Sequence, residues 1–171
     1  MADIKFTEGR LSFYFRDVVL AEKYDDWSHY RNQFCKFVKH SKAVDFLVVK
    51  DSEVWLIEVK DYRFHQRSKS IDISEEVSIK VRDTMAGLVS AKFLANMISE
   101  LNSSHSALSC KKLRVALHLE QQKNPSRLFP LPVDPANLTI KLRQKLRFAD
   151  HRVQIFNSRN FPPQLGEVTR F

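Results

Sequence analysis

The sequence predicts an α/β fold, a β-sheet flanked by helices on both faces, and three observations carry that reading. Two apolar, β-branched runs, Ala43 to Val49 and Glu53 to Val59, are separated by the polar stretch Lys50-Asp51-Ser52-Glu53, the pattern of a β-hairpin. Both faces of that hairpin are apolar: Leu47, Val49, Val54 and Leu56 on one, and Val44, Phe46, Val48, Trp55, Ile57 and Val59 on the other. Strands that read this way are covered on both sides. Finally, helical and extended patterns alternate along the chain in the order strand, helix, strand, strand, helix, strand, helix, strand.

The elements follow in turn. Leu11 to Phe15 and Val18 to Leu20, aromatic and β-branched, predict one or two short strands. From about Asp25, the residues Trp27, Tyr30, Phe34, Phe37 and Val38 recur at steps of three and four, which predicts an amphipathic helix ending near His40. After the hairpin, a loop with Arg63, His65, Arg67 and Lys69 leads to Asp72 or Ser74 as an N-cap, with Glu75 and Glu76 suited to the positive end of a helix. That helix is expected to run to about Ile98. Val77, Val81, Met85, Leu88 and Ala95 form its apolar stripe, widened by Val89, Phe93 and Met97. Leu113 to Leu119 is the next strand, a helix opens near Pro135 and runs through Phe148, and Val153 to Phe156 is a last strand before a loose tail.

At 171 residues with 43% hydrophobic composition, the chain is the size of one domain, and it has no flexible-linker composition or internal repeat. Its start lacks the charge and apolar run of a secretory signal, and no stretch reaches the length of a membrane span, so a soluble, cytoplasmic protein is expected. Cys35 and Cys110 stand apart from any CxxC or Cys/His cluster and are expected as reduced thiols. The net charge of +8 is unevenly placed. Residues 1 to 110 carry 16 basic and 16 acidic side chains, whereas residues 111 to 171 carry 12 basic and 4 acidic ones. A surplus of that kind suits a polyanion such as nucleic acid.

A two-residue turn at Asp51 and Ser52 pairs residue 50 with residue 53, and Asp45 then lies opposite Glu58. Lys60 projects from the same face as Glu58 because side chains alternate with period two. Two carboxylates and an ammonium therefore share one corner. Directly opposed like charges are destabilising unless compensated, and a divalent cation is the natural compensator. Because both faces are apolar, this cluster emerges from a buried layer, where charge is costly unless paired or metal-bound.

Asp45, followed after twelve residues by Glu58-Val59-Lys60, resembles the motif of the PD-(D/E)xK phosphodiesterases, with Val44 in place of the motif's proline. The spacing resembles that of archaeal Holliday-junction resolvases, and the order of elements from about residue 22 to 120 fits the family's core. The resemblance implies a restriction-endonuclease-like mixed β-sheet and a metal-dependent nuclease, a DNA endonuclease leaving 5′-phosphate and 3′-hydroxyl ends. Asp45, Glu58 and Lys60 would be its catalytic residues. Glu22, Asp25 and Asp26 are candidates for a further acid from the preceding helix. The close similarity is confined to residues 43 to 63.

Carboxylate and carbonyl oxygens suit Mg²⁺ or Mn²⁺, so Asp45, Glu58 and the Val59 carbonyl are the expected metal ligands. The metal would activate a water while Lys60 orients it or stabilises the transition state. Arg63, Arg67 and Lys69 directly follow the strand and are the expected nucleic-acid contacts. Lys80 and Arg82 are placed to face the same groove, and Lys141, Arg143, Lys145 and Arg147 alternate around a late helix, so only some share a surface. His65, His118 and His151 lack metal-ligand spacing, and Trp27 and Trp55 sit at core positions. Cutting both strands of DNA would call for a homodimer. The alternative is a non-catalytic nucleic-acid-binding or assembly module that retains the nuclease fold.

Overall fold

The computed structural model describes residues 1–65, 67–122 and 133–171. Two sheets and the helices between them make a mixed α/β architecture. The larger sheet has the strand order β3-β4-β5-β6-β7. β3 (Leu20–Lys23) pairs antiparallel with β4 (Phe46–Lys50) and β4 antiparallel with β5 (Glu53–Tyr62), while β6 (Lys112–Gln121) runs parallel to β5 and β7 (Gln154–Phe156) parallel to β6.

The central hairpin has the register read from the sequence, with Phe46 facing Ile57, Leu47 facing Leu56, Val49 facing Val54 and Lys50 facing Glu53. Its turn residues Asp51 and Ser52 both have positive φ, 49° and 61°. Two positive φ values match the right-handed twist of the flanking strands. Asp45 lies one residue before β4, opposite Glu58 in register, and its carbonyl accepts a hydrogen bond from the Tyr24 amide at 3.0 Å.

A smaller antiparallel sheet, in the order β1-β2-β8, joins the two ends of the chain through β1 (Ala2–Glu8), β2 (Leu11–Val18) and β8 (Gly166–Arg170). Neither β1 nor β8 was expected, and the loose tail is in fact a paired strand. Its first residue has to be glycine. Gly166 has φ 140°, and a Cβ there would stand 1.8 Å from the Tyr14 carbonyl oxygen.

This small sheet corrects the expectation of helices on both faces. One face of the large sheet, lined by Leu47, Val49, Val54, Leu56, Val115 and Leu117, packs against helices. The other, lined by Phe46, Val48, Trp55, Ile57 and Ala116, packs against Leu11, Phe13, Phe15 and Val168 of the small sheet. Val44, which lies before β4 and is free of its alternation, joins the helical-face core instead of the Phe46 and Val48 face expected for it. Trp27 and Trp55 are buried, as their sequence positions imply.

The helices also differ from expectation in extent. The helix expected from about Asp25 to near His40 is present in shorter, irregular form: after a 3₁₀ turn (Tyr24–Asp26), a continuous helical run over residues 28–37 passes through a π-helical stretch (Tyr30–Phe34) into α1 (Cys35–Phe37). The backbone turns extended at Trp27, with ψ 134°, which seats both Tyr24 and Trp27 in the core. The long helix α2 (Ile73–Leu94) begins at the expected cap: the Asp72 carboxylate accepts from the Ser74 amide at 2.8 Å. It stops at Ala95, where the chain becomes extended before α3 (Ile98–Leu108), a helix not expected from the sequence, in which the long helix runs to about Ile98 and the next element is the strand from Leu113. Val89, Phe93 and Met97, read as a widened stripe, are exposed. Helix α4 (Pro135–Lys145) is capped by Asp134, whose carboxylate accepts from the Ala136 amide.

Candidate functional site

The helical face of β5 becomes charged near its end. Leu56 is the last aliphatic side chain of the row, and Glu58 and Lys60 continue it on the same face, beside Leu117 and Leu119 of β6 and before Tyr62. Asp45 joins them from the entry to β4. Its Oδ2 accepts a 2.6 Å hydrogen bond from the Val59 amide, which locks the carboxylate beside β5. The three residues singled out by sequence register therefore do meet.

Helix α2 completes the corner. Lys80 Nζ lies 2.6 Å from Glu58 Oε1 and 3.9 Å from Asp45 Oδ1. Lys60 Nζ bridges Glu58 Oε1 at 2.7 Å and Glu76 Oε1 at 3.0 Å. Glu76 also takes Lys69 at 2.5 Å and Arg67 at 3.3 Å. Three carboxylates thus face four cations, with Glu58 and Glu76 both buried.

The electrostatics divide the acids. Burial, followed by the adjacent Glu58 charge, pushes Asp45 up to about 8, outweighing Lys80 and the Val59 amide. Glu76 goes the other way: burial works against its charge, but hydrogen bonds from Lys69 and Lys60 hold it down at about 2. Burial alone would lower Lys60, and the attraction of Glu58 and Glu76 keeps it above the ordinary lysine range.

A hard cation fits this donor set in part. Both Glu58 oxygens are buried and accept no well-aligned hydrogen bond even with two ammonium groups close by. Among the described residues no group of three or more His, Cys, Asp or Glu is placed to hold a metal, so the donors here are two carboxylates and the neighbouring backbone.

Glu76 is the residue that sequence reasoning undervalued, as a helix-end charge. Glu76 and Lys80 stand four apart on α2, so they share a face, and that spacing was a readable signal. Lys80 does reach the corner as anticipated, while the Arg82 guanidinium turns to Asp83 at 2.9 Å. The earlier acids are engaged elsewhere: Glu22 accepts from Ser103 Oγ at 2.7 Å, and Asp26 pairs with Arg31.

The expected basic contacts are spoken for as well. Arg63 makes a bidentate pair with Asp61, at 2.9 and 2.7 Å. Arg67 braces its own loop through the carbonyls of Lys69 and Ile71. Lys69 keeps its side chain more than half exposed while touching Glu76. On α4, Lys141 reaches Asp72 at 3.0 Å and Lys145 reaches Glu75, so these two tie α4 to the start of α2. Arg143 Nε donates to the Val153 carbonyl at 3.3 Å.

No family model matches the chain, and no solved structure matches it. A curated protein does. The chain is similar to a portion of cysteine–tRNA ligase from Neisseria meningitidis serogroup A, 33% identical over 174 aligned residues. The match covers 84% of this chain and 24% of that protein, so the chain spans about a quarter of its relative's length. The similarity overturns the resemblance to PD-(D/E)xK phosphodiesterases, because it runs along most of the chain, whereas the phosphodiesterase likeness was confined to residues 43 to 63. The reading as a metal-dependent nuclease, a hydrolase that cuts DNA, is withdrawn with it, since the relative is a ligase. A homodimer loses its ground too, having been inferred from the need to cut two strands. No helix among the described residues is long and apolar enough to cross a membrane.

Proposed function

We propose that this chain is an RNA-binding accessory domain of the tRNA-charging machinery, contributing tRNA contacts and not the ligation step. The observation that carries the reading is the 33% identity to cysteine–tRNA ligase across 84% of the chain. Charge supports it. The surplus in residues 111 to 171 includes Arg147, Arg152 and Arg159, exposed on either side of β7, the edge strand of the large sheet. Such cations neutralise backbone phosphates without reading sequence. That the ligation step lies elsewhere is supported by the glycine content: with three glycines in 171 residues, the sequence has no glycine-rich loop to cradle a nucleotide's phosphates. Acting on tRNA would place the protein in the cytoplasm.

The acidic corner takes a supporting part in this reading. Mg²⁺ or Mn²⁺ would be held by Asp45, Glu58 and the Val59 carbonyl, and when bound it would supply a positive charge for an RNA phosphate. Lys60 and Lys80 hold that charge balance in the ion's absence, with Lys80 already within 2.6 Å of Glu58.

Fluorescence anisotropy with labelled tRNA, competed by unlabelled tRNA or by duplex DNA of equal length, tests the proposal. tRNA is expected to compete at least tenfold better than the DNA. Equal competition by DNA, or no binding of tRNA, would overturn it.

A further inference from the structure

Phe64 is an aromatic ring left open to solvent beside two guanidinium groups. Arg10 Cζ lies 4.5 Å and Arg63 Cζ 5.1 Å from the ring centroid, yet the residue remains 52% exposed. Its mount is rigid. Arg63 is fixed by its two bonds to Asp61, by donation from Nη2 to the Arg10 carbonyl at 3.0 Å, and by Gln122, whose amide donates to the Arg63 carbonyl at 3.1 Å. The loop at the end of β5 is therefore stapled both to the β1–β2 turn and to the end of β6. Arg10 differs from Arg63 in having no carboxylate partner among the described residues, so its charge is uncompensated at an exposed site.

A planar ring on a fixed mount, with an unpaired cation over it, suits a base and its phosphate. Gln122 also lines a cavity of about 290 Å³ together with Asn157, Arg159, Asn160 and Arg170, so hydrogen-bond donors continue the surface away from Phe64. We propose that Phe64 and Arg10 form a stacking platform for one unpaired base of single-stranded RNA, with Arg10 taking the adjoining phosphate. The proposal rests on the tRNA-binding reading and specifies which part of an RNA is gripped. A duplex hides its base faces, whereas an unpaired base offers one, and stacking on an aromatic ring tolerates any base because each has a π-face.

The test measures binding of the full chain to three labelled RNAs by anisotropy: tRNA, an unstructured oligo-uridine, and a blunt RNA duplex. Phe64→Ala is expected to weaken oligo-uridine binding by roughly 5- to 150-fold, the usual worth of one stacked base, and to leave duplex binding within twofold. Phe64→Trp should retain or strengthen oligo-uridine binding, which a loss through misfolding would not allow. Arg10→Ala should weaken both oligo-uridine and tRNA binding and reduce their salt dependence. If tRNA binds wild type and Phe64→Ala equally and oligo-uridine affinity is also unchanged, the platform is wrong while the tRNA reading stands. If wild type binds none of the three RNAs, both fail.

Discussion

The two faces of the large sheet each carry a buried ionic network at the carboxyl ends of β5 and β6, and the networks are built on opposite plans. On the helical face, three carboxylates share four cations, and Asp45 keeps only the Val59 amide at 2.6 Å and a distant Lys80 at 3.9 Å. On the small-sheet face, a single carboxylate collects three partners: Glu120 takes His118 Nε2 at 3.0 Å, the Ser158 amide at 2.7 Å and Arg170 Nη2 at 2.6 Å. The consequences have opposite sign. Asp45 is pushed up to about 8, whereas Glu120, despite its burial, is held down at about 2 by His118 and Ser158. The comparison teaches that burial does not decide whether a carboxylate stabilises the charged fold. The count of donors aimed at it does.

The largest effect expected from this contrast is at Glu120. Glu120→Ala leaves Arg170 and the His118 ring without their shared acceptor, and the loss is about 3–5 kcal/mol in urea unfolding at pH 7. A loss under about 1 kcal/mol would mean the network is not a structural tie between β6, β8 and the β7 exit. Next in size is Glu76→Gln, expected to cost about 2 kcal/mol at pH 7 because Lys60, Lys69 and Arg67 lose a charged acceptor. Glu76 has a lowered pKa, so its contribution is present above the unfolded value near 4.5 and is lost as pH falls toward about 2. Wild type and Glu76→Gln should accordingly converge in acid.

Asp45 should show the reverse slope. Its folded pKa is raised, so the stability linked to its protonated form is complete below the unfolded value near 3.8 and is lost as pH rises through about 8. Asp45→Asn keeps an acceptor for the Val59 amide and removes the ionisation, so it should gain at least ~1 kcal/mol on wild type between pH 5 and pH 9, read from unfolding midpoints. A gap that does not change with pH would break the contrast between the two acids. Smallest is Asp72→Ala, which removes the cap of α2 and should cost about 1 kcal/mol while leaving the Asp45 profile between pH 5 and pH 9 unaltered. A changed profile would mean that the cap, and not the cation count, sets the corner's electrostatics.

Much of the helical-face corner was legible in the sequence. The turn at Asp51-Ser52 and strict alternation placed Asp45, Glu58 and Lys60 together, and the apolar rows on either side marked them as buried. Glu76 reads in the sequence as a helix N-terminal charge, and its i, i+4 spacing to Lys80 is a weak local signal that gains meaning once α2 lies across β5. The small-sheet face was far less legible. β8 pairs with β2 across the whole length of the chain and has no strong period-two pattern, so its partner, not its own residues, makes it a strand. β1, in which Ala2, Ile4 and Phe6 alternate with polar residues and Gly9-Arg10 turns directly into β2, carried a readable signal. Burial of His118 and Glu120 followed from that missing sheet. Local motif spacing also misled: the Asp and ExK pattern pointed to a phosphodiesterase, while similarity along most of the chain pointed to a tRNA ligase.

The most direct measurement of the central claim is the affinity of the purified chain for tRNA across a salt titration from 50 to 300 mM. The account predicts saturable binding that weakens linearly on a log-log plot with a slope of roughly −2 to −5, as expected for a handful of phosphate contacts. Reversing the charge of Arg147, Arg152 and Arg159 together should flatten that slope. Absence of saturable tRNA binding at 50 mM salt, or binding indifferent to salt, would contradict the account.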